Sequence, residues 1–164
     1  MLSRYQGAIF AALIAVSACE TYAQPIPETA APEEASTDIM TRISSEDFET
    51  TRDRLQNAIE SRGLTIFATV DHAAGAENAG LSLPPSTLFI FGNPQGGTPL
   101  MQANPALGLD LPLKALVYEE DGDVKVLTTD IRAVTGRAGV TEPAPVIENV
   151  TVALAAIAAE AAGS

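Results

Sequence analysis

The chain has 164 residues, of which 46% are hydrophobic and 18% charged, with one Cys, one His and no Trp. That length accommodates one domain with tails. Nine Lys and Arg against 21 Asp and Glu give a net charge of −12, which disfavours nucleic-acid binding because a phosphate backbone is repelled. The single cysteine excludes an internal disulfide and multi-cysteine metal sites, and the single histidine excludes a histidine-rich metal centre.

The first stretch of the sequence has the pattern of an export signal. Arg4 supplies a basic start, and residues 8–18 form an uncharged apolar run. This run is shorter than the about 20 residues needed to span a bilayer. Residues 1–23 are therefore predicted to be a signal peptide, and the protein is expected in the periplasm or on the membrane as a lipoprotein of the bacterial cell envelope.

The end of the signal has two interpretations. Residues 16–19 resemble a bacterial lipobox, in which the cysteine becomes lipidated, and Cys19 is the only cysteine of the chain. Alternatively, cleavage follows Ala23, with Thr21 and Ala23 at the two positions that the peptidase reads. Membrane contact is expected only through a lipid on Cys19, since the acidic chain disfavours anionic headgroups.

Beyond the signal, the sequence is predicted to divide into a linker, a domain and a terminal helix. Residues 24–43 are rich in Pro, Glu and Ala, which is typical of a flexible linker. Residues 44–140 have the pattern of a folded domain. Residues 141–164 predict an Ala-rich helix whose smooth face suits packing on the sheet or on a second copy of the chain.

Hydrophobic spacing predicts both helices and strands within the domain. A first helix is capped by Ser44 or Ser45 and ends at Gly63. Short helices are expected after the first and second strands, the later one capped by Thr98. Asp121-Gly122-Asp123 predicts a hairpin turn between the last two strands. Strands are predicted at residues 64–70, 87–91, 113–119 and 124–129.

The resulting fold class is α+β, with a mixed or antiparallel sheet of about four strands and helices packed on one face. Five sequence blocks, in this order, resemble the DUF302 domain family over roughly residues 44–139. The blocks are Arg62-Gly63-Leu64-Thr65 and residues 70–76, 88–94, 97–101 and 109–114. The resemblance implies a compact α+β domain, often a homodimer, in bacterial and archaeal proteins, some of them exported.

The same resemblance implies no activity, because the family is one of unknown function. Gln95 departs from a lysine that is frequent at its position in the family, which weakens an anion-binding role for the surrounding loop. The terminal helix after Gly139 lies mostly outside the five blocks. Function therefore depends on the polar residues of the domain.

Five polar residues form the candidate ligand-binding site. Asp71 and His72 follow the first predicted strand, Asn93 and Thr98 flank a Gly-rich loop after the second, and Lys114 begins the third. We expect these groups to meet in one cleft beside apolar walls, the usual arrangement of a small-molecule site. Each also has a structural interpretation: a histidine bonded to backbone, a glycine turn, and a lysine paired with an acid of the preceding loop.

The predicted function is an exported cell-envelope domain that binds a small ligand or a partner. One alternative is an enzyme on a small substrate, with His72 as base and Lys114 as electrostatic clamp. A second alternative is a structural homodimer. No catalytic or metal-ligating residue is assigned, since no serine lies in a nucleophile elbow and a hairpin explains the acids around residues 119–123. The sequence does not indicate which cofactor, if any, the protein binds.

Overall fold

The structure, a computed structural model, describes residues 38–163. The predicted signal peptide, Cys19 and most of the predicted linker lie outside these residues. The strands are β1 Ile39–Ile43, β2 Thr65–Asp71, β3 Ser86–Gly92, β4 Leu113–Glu120 and β5 Asp123–Thr129. The helices are α1 Phe48–Glu60, α2 His72–Asn78, α3 Pro94–Ala103, α4 Ile131–Arg137 and α5 Ala144–Ala162, with a 3-10 turn at Pro105–Leu109.

The strands of the described chain form one antiparallel sheet in the order β1-β5-β4-β3-β2. The predicted α+β class is confirmed, with one strand more than expected. That strand is β1, in the segment predicted as linker, so the folded domain begins before the expected boundary at Ser44. The sequence gives no clear strand pattern for β1, because Ile39 and Ile43 remain 54% and 62% exposed. The strand forms by pairing with the otherwise free edge of β5.

The predicted hairpin joins β4 and β5. Glu120 pairs with Asp123, which leaves Asp121 and Gly122 as a two-residue loop. Their φ angles are 55° and 89°, the left-handed region that a tight hairpin turn of this type requires at both positions. Aspartate tolerates this conformation and glycine adopts it without steric cost, so the dipeptide fixes the register of β4 and β5.

One face of the sheet, called here the covered face, packs against α1 and α5. Phe89 and Phe91 of β3 are 1% and 0% exposed on this face, and Val117 of β4 is completely buried. Leu55 of α1 and Leu154 of α5 complete the same cluster at 0% exposure. The core of the domain therefore lies between this face and the two helices.

The start of α1 differs from the prediction. Asp47 is the cap: its Oδ1 accepts a hydrogen bond of 2.8 Å from the backbone N of Thr50. Ser44 instead shares a hydrogen bond of 2.7 Å with the hydroxyl of Thr51 and accepts one from the backbone N of Glu46. The serines therefore order the approach to the helix, and the aspartate begins it.

The terminal helix α5 is part of the core. By length and composition it would suffice to cross a membrane, but seven of its residues are buried and it packs against α1, α4 and β5. Its N-terminus begins after Pro143, as predicted. The smooth face expected to meet the sheet or a second copy is thus occupied within the domain, because Leu154, Ile157 and Ala161 are fully buried.

Candidate functional site

Asn93 begins α3, directly after β3 ends. Its Oδ1 accepts a 2.9 Å hydrogen bond from the backbone N of Gln95, and its carbonyl accepts from Gly96 and Gly97 at 2.9 and 3.0 Å. Pro94 occupies the first helical position, where a missing N–H costs nothing. The helix therefore starts one turn before Thr98. The predicted cap at Thr98 is not formed, and the backbone N–H groups of Gln95, Gly96 and Gly97 already have partners.

A cavity of about 240 Å³ lies at this end of the sheet, between α3, the end of β3 and the segment that leads into β4. Its inner wall is made by buried side chains, among them Leu100 at 1% and Ile131 at 2% exposure. Phe67 stands at the outer wall with 52% of its surface exposed. The cavity thus connects solvent with the core, and we call it the apolar pocket.

The polar groups of the apolar pocket are few. Among the described residues that line it, only Asn93 and Thr98 have polar side chains, and none is charged. Gly96 and Gly97 expose the backbone of α3 along the wall, and the Cβ of an alanine at position 97 would contact Leu111 at 3.8 Å. Such a site suits a neutral, mostly apolar molecule, because a charged one would lose its hydration without gaining a partner.

Lys114 lies at the same end of the sheet, but its amino group is bound by the backbone of the preceding loop. Its Nζ donates hydrogen bonds to the backbone carbonyls of Asp110 and Pro112, at 2.8 and 3.2 Å. The expected pairing with an acid of the preceding loop is therefore replaced by contacts with the backbone of that loop. The Asp110 carboxylate lies 3.8 Å from Arg137 instead. Lys114 thus holds the loop that forms one wall of the pocket, and does not itself line it.

Asp71 and His72 lie at the opposite end of the sheet. In the antiparallel pairing Asp71 is opposite Thr87, whereas Gly92 is opposite Thr65. At about 3.4 Å per residue, Thr87 and Gly92 are about 17 Å apart along β3. Asp71 caps α2 by accepting a 2.8 Å hydrogen bond from Ala74 N, and His72 is the exposed first residue of that helix.

The five predicted site residues therefore do not share one cleft. The structure brings Asn93, Thr98 and the loop held by Lys114 together and separates them from Asp71 and His72. The physical reason is strand direction, since an antiparallel neighbour places the end of β2 beside the start of β3. A combined site with His72 as base and Lys114 as clamp is not formed, because the Lys114 amino group is held by residues that precede β4, at the far end from His72.

The acidic hairpin is explained by its own contacts. Glu120 accepts a 2.7 Å hydrogen bond from Nζ of Lys125, and this bond raises the pKa of Lys125 above its ordinary value. The amino group also lies 6.0 Å from the centre of the Tyr118 ring. Within residues 38–163, no three His, Cys, Asp or Glu side chains are grouped so as to hold a metal ion.

Sequence reasoning missed most of the pocket wall. Phe67 lies where the register between β2 and β3 shifts, at the bulge between Ile66 and Ala68, and the bulge turns it towards the pocket and Gly92. Met101 and Leu111 could not be recognised as pocket residues from the sequence, because apolar residues in these positions are typical of a core. The pair Gly96-Gly97 after a strand was a usable signal of the pocket, because two residues without side chains leave space beside the backbone.

The fold and the pocket together define a class: an α+β domain with α1 and α5 packed on one face of an antiparallel sheet and an apolar pocket at one end. The profile of the family described as "Domain of unknown function DUF302" matches residues 40–161. The chain belongs to this family. The match includes β1 and nearly all of α5, so the terminal helix lies within the family domain rather than outside it.

A solved structure agrees with this assignment of fold. The crystal structure of an uncharacterized conserved protein DUF302 from Bacillus stearothermophilus superposes with a TM-score of 0.69 and 21% sequence identity. The similarity covers 76% of this chain and 98% of that one. At this level of identity the likeness establishes the fold.

A second similarity is to part of a membrane transport protein. The chain is 53% identical over 79 residues to "Fluoride-specific ion channel FluC 1" of Brucella suis biovar 1 (strain 1330), which is 48% of this chain and 31% of that protein. FluC 1 of Brucella abortus biovar 1 (strain 9-941) matches at the same identity over 29% of its length. The chain thus spans less than a third of the length of these curated relatives.

Proposed function

We propose that this protein is a binding module of the cell envelope whose apolar pocket holds a small, neutral, mostly apolar molecule. The observation that carries the proposal is the pocket itself, which runs from the half-exposed Phe67 to the buried Ile131 and has no charged side chain among its described lining. Asn93 and Thr98 stand on its wall as the polar groups that orient a ligand.

The contacts of Asn93 specify the polar end of such a ligand. Its Oδ1 is engaged by Gln95, whereas its Nδ2 has no hydrogen-bond partner among the described residues. A neutral acceptor, such as a carbonyl, ester or ether oxygen, fits this donor. A carboxylate or phosphate fits poorly, since no cationic side chain lines the pocket and the chain carries a charge of −12.

Ligand binding in the apolar pocket is tested with a variant whose side chain fills the pocket. Gly97→Leu places an aliphatic side chain beside Leu111 and Met101, while Gly75→Leu is the matched control on α2, where nothing lies within 4 Å of an added Cβ. The probe is N-phenylnaphthylamine, a small neutral dye that fluoresces in apolar surroundings. We expect the wild-type protein and Gly75→Leu to bind the dye with equal affinity. Gly97→Leu should bind it at least about tenfold more weakly, a change of about 1.4 kcal/mol.

Equal dye binding by both variants would contradict the proposal, because the dye would then occupy another surface. Asn93→Asp is a second variant that keeps the capping oxygen of α3 and removes the free amide donor. It should retain the fold, shown by unchanged far-ultraviolet circular dichroism. Its affinity for a ligand with a neutral oxygen acceptor should fall, while its affinity for the purely apolar dye changes less.

A second candidate function is that of a partner domain for a fluoride channel. The 53% identity to a segment of FluC 1 from Brucella suis favours it, because in that relative a segment similar to this chain is part of a protein named as a channel. We propose a partner role rather than fluoride binding, since a surface of charge −12 lowers the local concentration of anions.

The partner role is tested by growth in sodium fluoride. Deletion of the gene for this chain should lower the fluoride concentration that stops growth, in the same direction as deletion of the host's fluoride channel gene. The double deletion should add nothing, because the two products act together. A deletion strain with normal fluoride tolerance, or an additive double deletion, would argue for a function unrelated to the channel.

Export to the cell envelope is part of the proposal and is supported by the apolar run of residues 8–18 and by Cys19. The denatured mass of the protein isolated from its host distinguishes the two processing routes. A chain that begins at Cys19 with a diacylglyceryl adduct indicates a lipoprotein. A chain that begins at Gln24 indicates ordinary cleavage. An unprocessed chain that starts at Met1 would contradict export.

A further inference from the structure

The outer wall of the apolar pocket contains an aromatic ring that does not take part in the core. Among the described residues that line the pocket, Phe67 is the only aromatic one, and 52% of its surface is exposed. It belongs neither to the buried core cluster nor to the partly buried side chains packed against that cluster. The other described phenylalanines, in contrast, are all in the core. The ring of Phe67 is therefore available to a molecule that enters the pocket.

The backbone of β2 determines where this ring lies. Ile66 pairs with Phe91 and Ala68 pairs with Ile90, so Phe67 is the extra residue of a β-bulge and has no paired residue on β3. A bulge bends its strand and changes the direction of the side chain that it carries. The bulge thus places Phe67 beside the end of β3, where the pocket begins.

Gly92, the last residue of β3, leaves a space beside this ring. Apart from its chain neighbours, a Cβ at position 92 would have two heavy atoms of the described residues within 4 Å. These are Cε2 of Phe67 at 3.7 Å and Cβ of Pro112 at 3.8 Å. Phe67 belongs to β2 and Pro112 precedes β4, the strands on either side of β3. We call the space over Gly92, between Phe67 and Pro112, the slot.

The width of the slot limits what it can hold. Because both atoms lie near one point, they are at most about 7.5 Å apart, the sum of the two distances. Carbon atoms in contact are about 3.5–4.0 Å apart, so a single layer of atoms between two walls needs about 7–8 Å. An aromatic ring is one atom thick and meets this limit. A saturated ring is puckered, and it would have to displace Phe67 or Pro112.

We propose that the ligand of the apolar pocket carries an aromatic ring, which lies in the slot, and that Phe67 selects this ring by stacking on it. The inference rests on the proposed function, since it specifies the ligand of the same pocket. Asn93 follows Gly92 directly, so its free Nδ2 donor is close to the slot. The class of ligand is therefore a neutral aromatic compound with an oxygen acceptor attached to the ring, such as an aryl ketone or an aryl ester.

Two ketones of equal size test this selection. Acetophenone and cyclohexyl methyl ketone have the same acetyl group and the same number of heavy atoms, but one ring is flat and the other is puckered. Their affinities are measured by NMR titration up to about 20 mM, a range suited to ligands of so few atoms. We expect the wild-type protein to bind acetophenone at least about fivefold more tightly than the saturated ketone.

Phe67→Leu removes the aromatic ring and keeps an apolar side chain, so its affinities for the two ketones should agree within about twofold. Tyr118→Leu is the matched control, an aromatic-to-leucine change at a residue that pairs with Ser86 at the other end of β3 and does not line the pocket. It should keep the full preference for acetophenone. Circular dichroism shows whether the variants fold.

If Phe67→Leu does not fold, Gly92→Ala tests the same slot from its floor. The added Cβ makes ordinary contacts at 3.7 and 3.8 Å and should reduce the preference for acetophenone at least about threefold. Equal affinities of the wild-type protein for both ketones would overturn the inference and leave the proposed pocket intact. A Phe67→Leu variant that keeps the preference would do the same.

Failure of the proposed function gives a different result. In that case the wild-type protein binds neither ketone and does not bind N-phenylnaphthylamine in the pocket, and the inference fails with the function on which it rests. A protein that binds the dye in the pocket but neither ketone would overturn the assigned class of ligand alone.

Discussion

Neighbouring residues of β3 have similar side chains and different surroundings. Phe89 and Phe91 on the covered face are buried to 1% and 0% exposure, whereas Leu88 and Ile90 on the opposite face of the sheet are only partly buried. Residues 87–91 are apolar at nearly every position, which predicts a strand with two protected faces. Within one copy of the chain only one face is protected. The difference teaches that apolar side chains on both faces of a strand do not by themselves place both faces in the core of the domain.

The largest effect that tests this comparison comes from truncating one residue on each face. Phe89→Ala should lower the free energy of unfolding by about 3–5 kcal/mol, because it leaves a cavity in the core. Leu88→Ala should cost less than half as much, since Leu88 is only partly buried. Denaturant unfolding measures both. An equal cost for the two variants would show that Leu88 is as well protected from solvent as Phe89.

A smaller effect is expected at a polar defect on the covered face. The hydroxyl of Thr128 is buried without a hydrogen-bond partner among the described residues. Thr128→Val removes this group at nearly constant shape and should raise the free energy of unfolding by about 1 kcal/mol. Thr135 is the matched control, equally buried at 2%, but its hydroxyl donates a 2.9 Å hydrogen bond to the carbonyl of Ile131.

Thr135→Val should therefore act in the opposite direction and lower stability by about 1 kcal/mol. Thermal unfolding of the two variants, followed side by side, gives the signs. If both variants are destabilised, the hydroxyl of Thr128 has a role in the native state that the contacts of the described residues do not reveal.

Gly97 allows a test at the margin of the core, where the apolar pocket opens. An alanine Cβ there would meet Leu111 Cδ1 at 3.8 Å and Met101 Cε at 3.9 Å, which are ordinary contacts. Gly97→Ala should thus stabilise the protein by about 0.5–1 kcal/mol through the helix preference of alanine. Gly163→Ala is the contrasting change, because at φ +77° its Cβ would lie 2.7 Å from Arg54 Nη1 and 2.8 Å from Ser45 Oγ. A loss of stability is expected there, by the same thermal measurement.

The smallest effect concerns pH and the start of α1, a helix of the covering layer. Hydrogen bonds from the backbone N and hydroxyl of Thr50 hold the pKa of Asp47 below its ordinary value of 3.8. Since the folded pKa is lowered, the stabilisation is present above pH 3.8 and is lost as the pH falls below it through the folded pKa. In Asp47→Asn, unfolding measured across this range should depend less on pH than in the wild type. An unchanged pH dependence would show that other carboxylates dominate.

The local elements of this fold could be predicted from the sequence, and their mutual arrangement could not. Asp121-Gly122 specifies the hairpin through its own backbone preferences, and the apolar spacing of α5 specifies a helix. The strand β1 could not be predicted, because its pairing with β5 supplies what its exposed side chains lack.

The candidate site shows the same division. Asn93 and Thr98 were predicted from a glycine-rich loop after a strand, and they do line the pocket. Asp71 and His72 were expected beside them, which would require the ends of β2 and β3 to lie together. The direction of pairing decides this point, and it depends on contacts between residues distant in sequence. Whether any of these groups binds a ligand stays a prediction.

The chain enters the described domain at the same end of the sheet as the apolar pocket. Asp38 precedes β1, its carbonyl accepts a 2.7 Å hydrogen bond from Asp130 N, and the next residue, Ile131, belongs to the wall of the apolar pocket. The entry point and the pocket therefore share one end of the sheet, while the Asp121-Gly122 hairpin lies at the other. The hairpin is thus the part of the described domain that lies a full strand length from both the entry of the chain and the apolar pocket, so a label attached at the hairpin would leave both undisturbed.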